Sequence, residues 1–221
     1  MNSSSTLKLI VLTTLLILTA RALVAQQIAA SFEGEIIFKI QDTEQVALFT
    51  CLVKGDRLRI GSVDEMSSSP LYYVDLALNK VYAVNSARER IAEYSLNPPG
   101  VDPSSIKLEK KEETEEIAEI SCIQYSLKTK SGDVELWAAK ALGSLGGFHL
   151  AMSSKGFTFT PWEVKLLSMS ATALRSIERD SNGYEVLRFE VVRVVERRIN
   201  EILLKVPGSF EKVEFNRLIK R

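Results

Sequence analysis

From Phe32 onward the chain alternates with a period of two: Phe32, Gly34, Ile36, Phe38 and Ile40 fall on one side, and Glu33, Glu35, Lys39 and Gln41 on the other, with Ile37 the exception. Successive side chains of a strand leave opposite faces of a sheet, so this pattern describes one face against a core and one against water, as in an antiparallel sheet. A helix would need a period near 3.6 and would scatter these apolar residues around its whole circumference. The first structured segment is therefore a half-buried strand, and the rest of the chain must supply neighbours for it.

The same texture continues, cut by turns. A strand from about Val46 to Val53 reaches Lys54-Gly55-Asp56 and returns as Arg57 to Ile60, with Leu58 and Ile60 inward and both arginines outward, which is a hairpin. Ser62 to Pro70 reads as a loop. Leu71–Asp75, Val81–Val84 and Arg90–Leu96 read as further strands of a meander. The stretch Asn97 to Ser105 contains three of the six prolines, which cannot donate to a ladder, so it is a surface crossover. Ile106 to Glu119 is read as a strand or exposed edge ribbon whose Glu and Lys form a solvated face. Ile120–Thr129 and Val134–Ala139 flank Ser131-Gly132-Asp133, a second hairpin. Ala141 to Gly156 has no sustained period and reads as an irregular cover. Thr160-Pro161-Trp162-Glu163 supplies Thr at the N-cap, Pro at N1 and Glu at N3, a capping box that predicts a helix to about Met169. Leu174–Arg179, the turn Asp180–Gly183 and Tyr184–Glu196 form a last hairpin, and Ile202 to Pro207 a short tail. Many short strands, one convincing helix and no βαβ rhythm give a mainly β fold, a sandwich or barrel rather than a parallel doubly wound sheet.

Ahead of Phe32, Lys8 precedes the apolar run Leu9 to Ala20, followed by small residues at Ala20, Ala22 and Ala25. This is the layout of a cleaved secretory signal, and the run is short of the ~20 residues a membrane helix needs. Residues 1–25 are read as the signal peptide, with Ala22 the alternative cleavage point, and residues 26–221 as a single domain. The expected location is the periplasm or beyond, with no stable transmembrane span after cleavage. No Cys follows either site, so no lipid-modified N-terminus is expected.

Lys and Arg together number 28, as do Asp and Glu, so no global field would hold a polyanion and a nucleic-acid partner is not expected. The only histidine, His149, stands between Phe148 and Leu150, so neither a Ser/His/Asp relay nor a multi-histidine metal site can be built with any redundancy. No catalytic residue, metal or cofactor is assigned. Glu35, Asp56, Asp75 and Glu135 are carboxylates that a hydrolase could pair across a barrel mouth, and nothing in the sequence selects among them. Cys51 and Cys122 each lie in a strand-like run and are either buried thiols or partners in a disulfide. The apolar side of the sheet collects Ile36, Phe38, Ile40, Leu58, Ile60, Tyr73, Tyr82, Tyr94, Tyr125, Phe189 and one of Leu136 or Trp137, which either fill a core or line a cavity. The candidate ligand-binding set is Ile36, Phe38, Leu58, Ile60, Tyr73, Tyr82, Trp137, Phe148, Trp162 and Leu166.

Several short motifs occur in an ordered series: PheGluGlyGluIle at 32–36, LysGlyAspArgLeuArg at 54–59, TyrTyrValAspLeu at 72–76 with LysValTyr at 80–82, CysIleGlnTyr at 122–125, ValGluLeuTrp at 134–137, TrpGluValLysLeu at 162–166, and Val206-Pro207 followed by an aromatic. Together they resemble the bacterial domain of unknown function family 4412, which looks related to the LolA and LolB lipoprotein carriers. The resemblance implies a curved antiparallel sheet forming an incomplete, LolA-like β-barrel with one or more short helices on its concave side. In those carriers the concave face and its helical lid take up acyl chains in the periplasm. The leading expectation is accordingly a non-enzymatic binding protein for a lipid or acylated protein. The alternatives are a filled barrel that serves the cell envelope by protein contacts, and a hydrolase with an unrecognised carboxylate site.

Overall fold

The computed structural model describes residues 32–64, 70–96, 102–129, 131–143, 145, 160–214 and 218. Phe32–Arg221 forms one compact unit. The segment read as a signal peptide, Phe148, His149 and most of the stretch from Ala141 to Gly156 lie outside the described residues.

In chain order the elements are β1 (Glu33–Asp42), β2 (Val46–Lys54), β3 (Arg57–Ser62), β4 (Leu71–Asp75), β5 (Lys80–Asn85), β6 (Arg90–Ser95), β7 (Glu109–Ile117), β8 (Ile120–Thr129), β9 (Gly132–Ala139), α1 (Pro161–Ser168), β10 (Thr172–Asp180), β11 (Glu185–Glu196) and β12 (Glu211–Lys212). All twelve strands join one sheet in the order β12-β6-β5-β4-β3-β2-β1-β11-β10-β9-β8-β7. Two antiparallel meanders, β1–β6 and β7–β11, meet where β1 pairs with β11. Every neighbouring pair is antiparallel except β12 with β6. The ends β7 and β12 do not pair with each other, so the sheet is an incomplete β-barrel with α1 on its concave face.

The register explains the core. Ile36, Phe38 and Ile40 pair with Cys51, Phe49 and Ala47 on one side and with Val194, Val191 and Phe189 on the other, past a bulge between Ile37 and Phe38. Cys51 and Val53 continue to Ile60 and Leu58, and these to Tyr72 and Val74. Residues directly opposite share a face. The alternation seen at Phe32 is thus propagated strand by strand into one apolar cluster. The turn that starts this chain of registers is Lys54-Gly55, where Gly55 takes φ 58° without steric cost.

Helix α1 begins as its capping box requires. The Glu163 N–H donates to the Thr160 hydroxyl at 3.4 Å, and the Glu163 carboxylate accepts from the Thr160 N–H at 2.7 Å. Trp162 and Leu166 pack on Val134, Leu136, Ala138 and Ala173. The indole Nε1–H of Trp162 donates to Glu178 of β10 at 3.3 Å, so the apolar contact has a polar anchor.

After β11 the chain becomes a strap. A 3-10 turn at Glu201–Leu204 places Leu204 with Leu52 and Ile199. Val206 and Phe210 pack against Tyr73, Val84 and Ile91, β12 adds to β6, and the Leu218 carbonyl accepts from Asn85 Nδ2 at 3.1 Å with Leu218 wholly buried.

Candidate functional site

Of the candidate ligand residues, Ile36, Phe38, Leu58 and Ile60 do come together on the concave face, at 0–1% exposure. The Phe38 ring centroid lies 5.4 Å from those of both Phe49 and Phe189. Trp162 and Leu166 face the β8–β10 end of the same side from α1. The first four pack within one apolar cluster, and Trp162 and Leu166 within a second.

Two candidates stand elsewhere. Tyr73 and Tyr82 are on the opposite, convex face: it is Tyr72 that pairs with Ile60, and Tyr73 that pairs with Arg59 and Tyr82. The run LeuTyrTyrValAsp is apolar at both parities, and the Lys54-Gly55 turn, by setting the β3 register, decides which tyrosine turns inward. Leu136, opposite Tyr125 and Ser176, is the β9 residue under α1; Trp137 is buried in the same apolar cluster as Ile36 and Phe38 and lies opposite Arg175, whose guanidinium carbon is 5.2 Å from the ring centroid. Phe148 lies outside the described residues. Cys51 and Cys122 are free and buried, and no disulfide joins them. Four strands separate β2 from β8 in the sheet, with Cys51 opposite Ile36 and Ile60 but Cys122 opposite Glu115.

The convex face carries the polar chemistry. Arg175 donates to Glu190 at 2.8 Å and to Glu115 at 2.7 Å, tying β7, β10 and β11 together. Burial alone would raise the Glu190 carboxyl, but hydrogen bonds and charge from Arg175, aided by Lys39 at 3.5 Å, hold it below the usual carboxylate range. Of the four carboxylates considered for hydrolysis, Glu135 is held by Arg179 at 2.7 Å, Glu35 by Arg197, and Asp75 lies 3.9 Å from Arg57. Each of these three has an arginine rather than another carboxylate as its partner. Among the described residues no cluster of His, Cys, Asp and Glu is arranged to hold a metal ion, and no helix is long and apolar enough to cross a membrane.

Two exterior features stand out. Strand β7, EKKEETEEI, ends the sheet with eight of its nine residues exposed or half-buried. Its turn into β8 holds Ala118 at φ 50° and Glu119 at φ 65°, the left-handed pair that a two-residue hairpin requires, here without glycine. The second feature is a groove of about 600 Å³ between the C-terminal strap and the convex face of β3–β6, floored by Tyr73, Tyr82 and Ile91 and roofed by Val206 and Phe210. Sequence reasoning saw only a tail there. The signal that could have found it is the apolar spacing Val206, Phe210 beside a strand with tyrosines at both parities.

The fold is similar to that of an uncharacterized conserved protein from Thermus thermophilus, with TM-score 0.53 and 12% identity over 83% of this chain and 91% of that one. It is also similar to PNGF-II, with TM-score 0.50 and 12% identity over 85% of this chain but 32% of that one. A chain in the complex structure of Pseudomonas aeruginosa MucA/MucB gives TM-score 0.50 and 12% identity over 83% of this chain and 59% of that one. This chain thus spans less than two thirds of the latter two. At these identities the likeness is one of fold. No curated protein matches the sequence. Residues 32–210 match the family described as a domain of unknown function, DUF4412, and the chain belongs to that family.

Proposed function

We propose that this protein is an exported, non-enzymatic factor of the bacterial cell envelope that acts through its exterior, by contact with another protein. The observation that carries this reading is the burial of the concave face: Ile36, Phe38, Leu58 and Ile60, the residues a LolA-like carrier would offer to an acyl chain, are 0–1% exposed. A lipid there would have to displace packed side chains, at a cost of a few kcal/mol for each. The edge strand β7, by contrast, presents unpaired backbone groups to solvent, the usual template for adding a partner's strand. The engagement of Glu35, Asp75 and Glu135 with arginines favours a structural over a hydrolytic role. A fold of this kind also occurs in the MucA/MucB complex, which accords with a role in protein contact.

The test combines two measurements on protein expressed from the full sequence with its own leader. Native mass spectrometry should give the mass of the processed chain alone, and a photo-crosslinking residue at Glu113 of β7 should capture one envelope protein that the same group at Leu78 does not. A bound mass of lipid size, released on denaturation, would instead establish the carrier reading.

A further inference from the structure

The groove beneath the C-terminal strap has a graded lining that follows from the registers of β2–β6. Three rungs cross this face. The first runs Lys54, Arg57, Asp75, Lys80, Ser95; the second Leu52, Arg59, Tyr73, Tyr82, Glu93; the third passes from Leu71 through Val84 and Ile91 to Lys212 of β12. Within the groove the floor therefore changes from charged to aromatic to aliphatic over about 13 Å, four residues along each strand. Val206 and Phe210 close the apolar side.

The charges are unequal. Arg57, Lys80, Lys205 and Lys212 line the groove against Asp75 and Glu93 alone. Glu93 serves two lysines at once, accepting from Lys80 and lying 3.5 Å from Lys212 Nζ. Its carboxyl is held below the usual range by the Lys80 hydrogen bond, so it stays ionised and is committed to these lysines. Arg57 and Asp75 meet only at 3.9 Å. Positive charge is left over on one wall, facing an aromatic floor. The volume, about 600 Å³, lies within the roughly 300–1,000 Å³ typical of small-molecule sites.

We propose that this groove is a binding site for a small amphiphilic anion: an aromatic or short aliphatic body seated on Tyr73, Tyr82 and Ile91 beneath Phe210, with a carboxylate or sulfonate directed at Lys80, Lys212 and Arg57. The site is on the convex face, away from the concave face of a LolA-like carrier, and it stands independently of the β7 edge. A cation of the same shape meets surplus positive charge, and a neutral analogue gains only the apolar contact.

Anilinonaphthalene sulfonate and its uncharged counterpart N-phenylnaphthylamine share a ring system and report binding by fluorescence. The native protein should bind one equivalent of the sulfonate at least tenfold more tightly than the neutral dye, and added salt should narrow that difference. Lys212→Glu, at a side chain 80% exposed, should weaken the sulfonate about tenfold with the neutral dye unchanged. Tyr82→Ala should weaken both. Near-UV circular dichroism identical to the parent ensures that a folded groove is being read. Equal affinity for the two dyes, no binding of the sulfonate, or sulfonate binding indifferent to both substitutions would overturn the proposal.

Discussion

A Cβ at Gly34 would stand 2.3 Å from the Val195 carbonyl oxygen and 2.6 Å from the Phe32 ring, so the glycine of the PheGluGlyGluIle motif is what lets β1 approach β11 with the ring laid across it. Gly34→Ala should lower stability by about 1–3 kcal/mol, the usual cost of overpacking, read from urea unfolding midpoints. At Cys51 burial alone acts on the thiol and pushes it up. At Cys122 burial dominates and brings it to about 11. Neither should react with an aromatic disulfide reagent at neutral pH in the native protein, whereas both should do so in denaturant; fewer than two reactive thiols after unfolding would reveal a bridge. Single residues were also where sequence reading reached its limit. Tyr72 and Tyr73 are chemically identical neighbours, and which faces the core depends on a register set by β3, a constraint that no window around them contains.

Elements were legible where local chemistry is decisive. The Gly55 turn and the Thr160 capping box each lie where the sequence puts them, because each depends on a few adjacent residues, whereas in the second hairpin Gly132 and Asp133, expected in the turn, already pair with Thr129 and Lys128. Removing the cap by Thr160→Ala should cost about 1 kcal/mol, measurable by thermal or urea unfolding, and should loosen Trp162 from Glu178 as the first turn frays. Strand β7 was legible as an edge ribbon from the charge pattern and the family resemblance together. The same charges protect it, since a row of exposed, solvated Glu and Lys side chains disfavours burial of the edge against another chain. Replacing Glu112, Glu113 and Glu116 together by Val should leave the monomer folded yet drive concentration-dependent association, visible in sedimentation velocity; a triple variant that stays monomeric would show that charge is not what guards this edge. The β1–β11 pairing could not be read in advance, since it joins segments far apart in the chain and depends on a bulge between Ile37 and Phe38 that leaves no local mark.

For the molecule as a whole, the titrating groups predict an asymmetric pH response. Burial raises Cys51 and Cys122 above their ordinary value of 9.0, and Tyr72 and Tyr94 to about 12 from 10.0, the latter with some help from the charge of Tyr72. The folded state therefore binds these protons more tightly, and their contribution, complete below pH 9, declines as the unfolded chain ionises above it. Glu33, Glu93, Glu185 and Glu190 are held below 4.5 in the folded state, so their contribution is complete above that value and is lost as pH falls through it. Unfolding midpoints should be level from about pH 5 to 8.5 and drop on both sides, and a fall already present between pH 6 and 8 would contradict this assignment. A mainly β sandwich or barrel follows from strand count, alternation and a single convincing helix, and the incomplete barrel from the family resemblance; its filling follows from neither, because an apolar face has the same sequence whether it meets side chains or a ligand. The central pairing of β1 with β11 also bears on biosynthesis. A chain that emerges from its N-terminal end presents β1 long before β11, so the meander β1–β6 waits with one flank of its first strand unzipped, and folding closes not with the last residue to emerge but with the first strand finding its second neighbour.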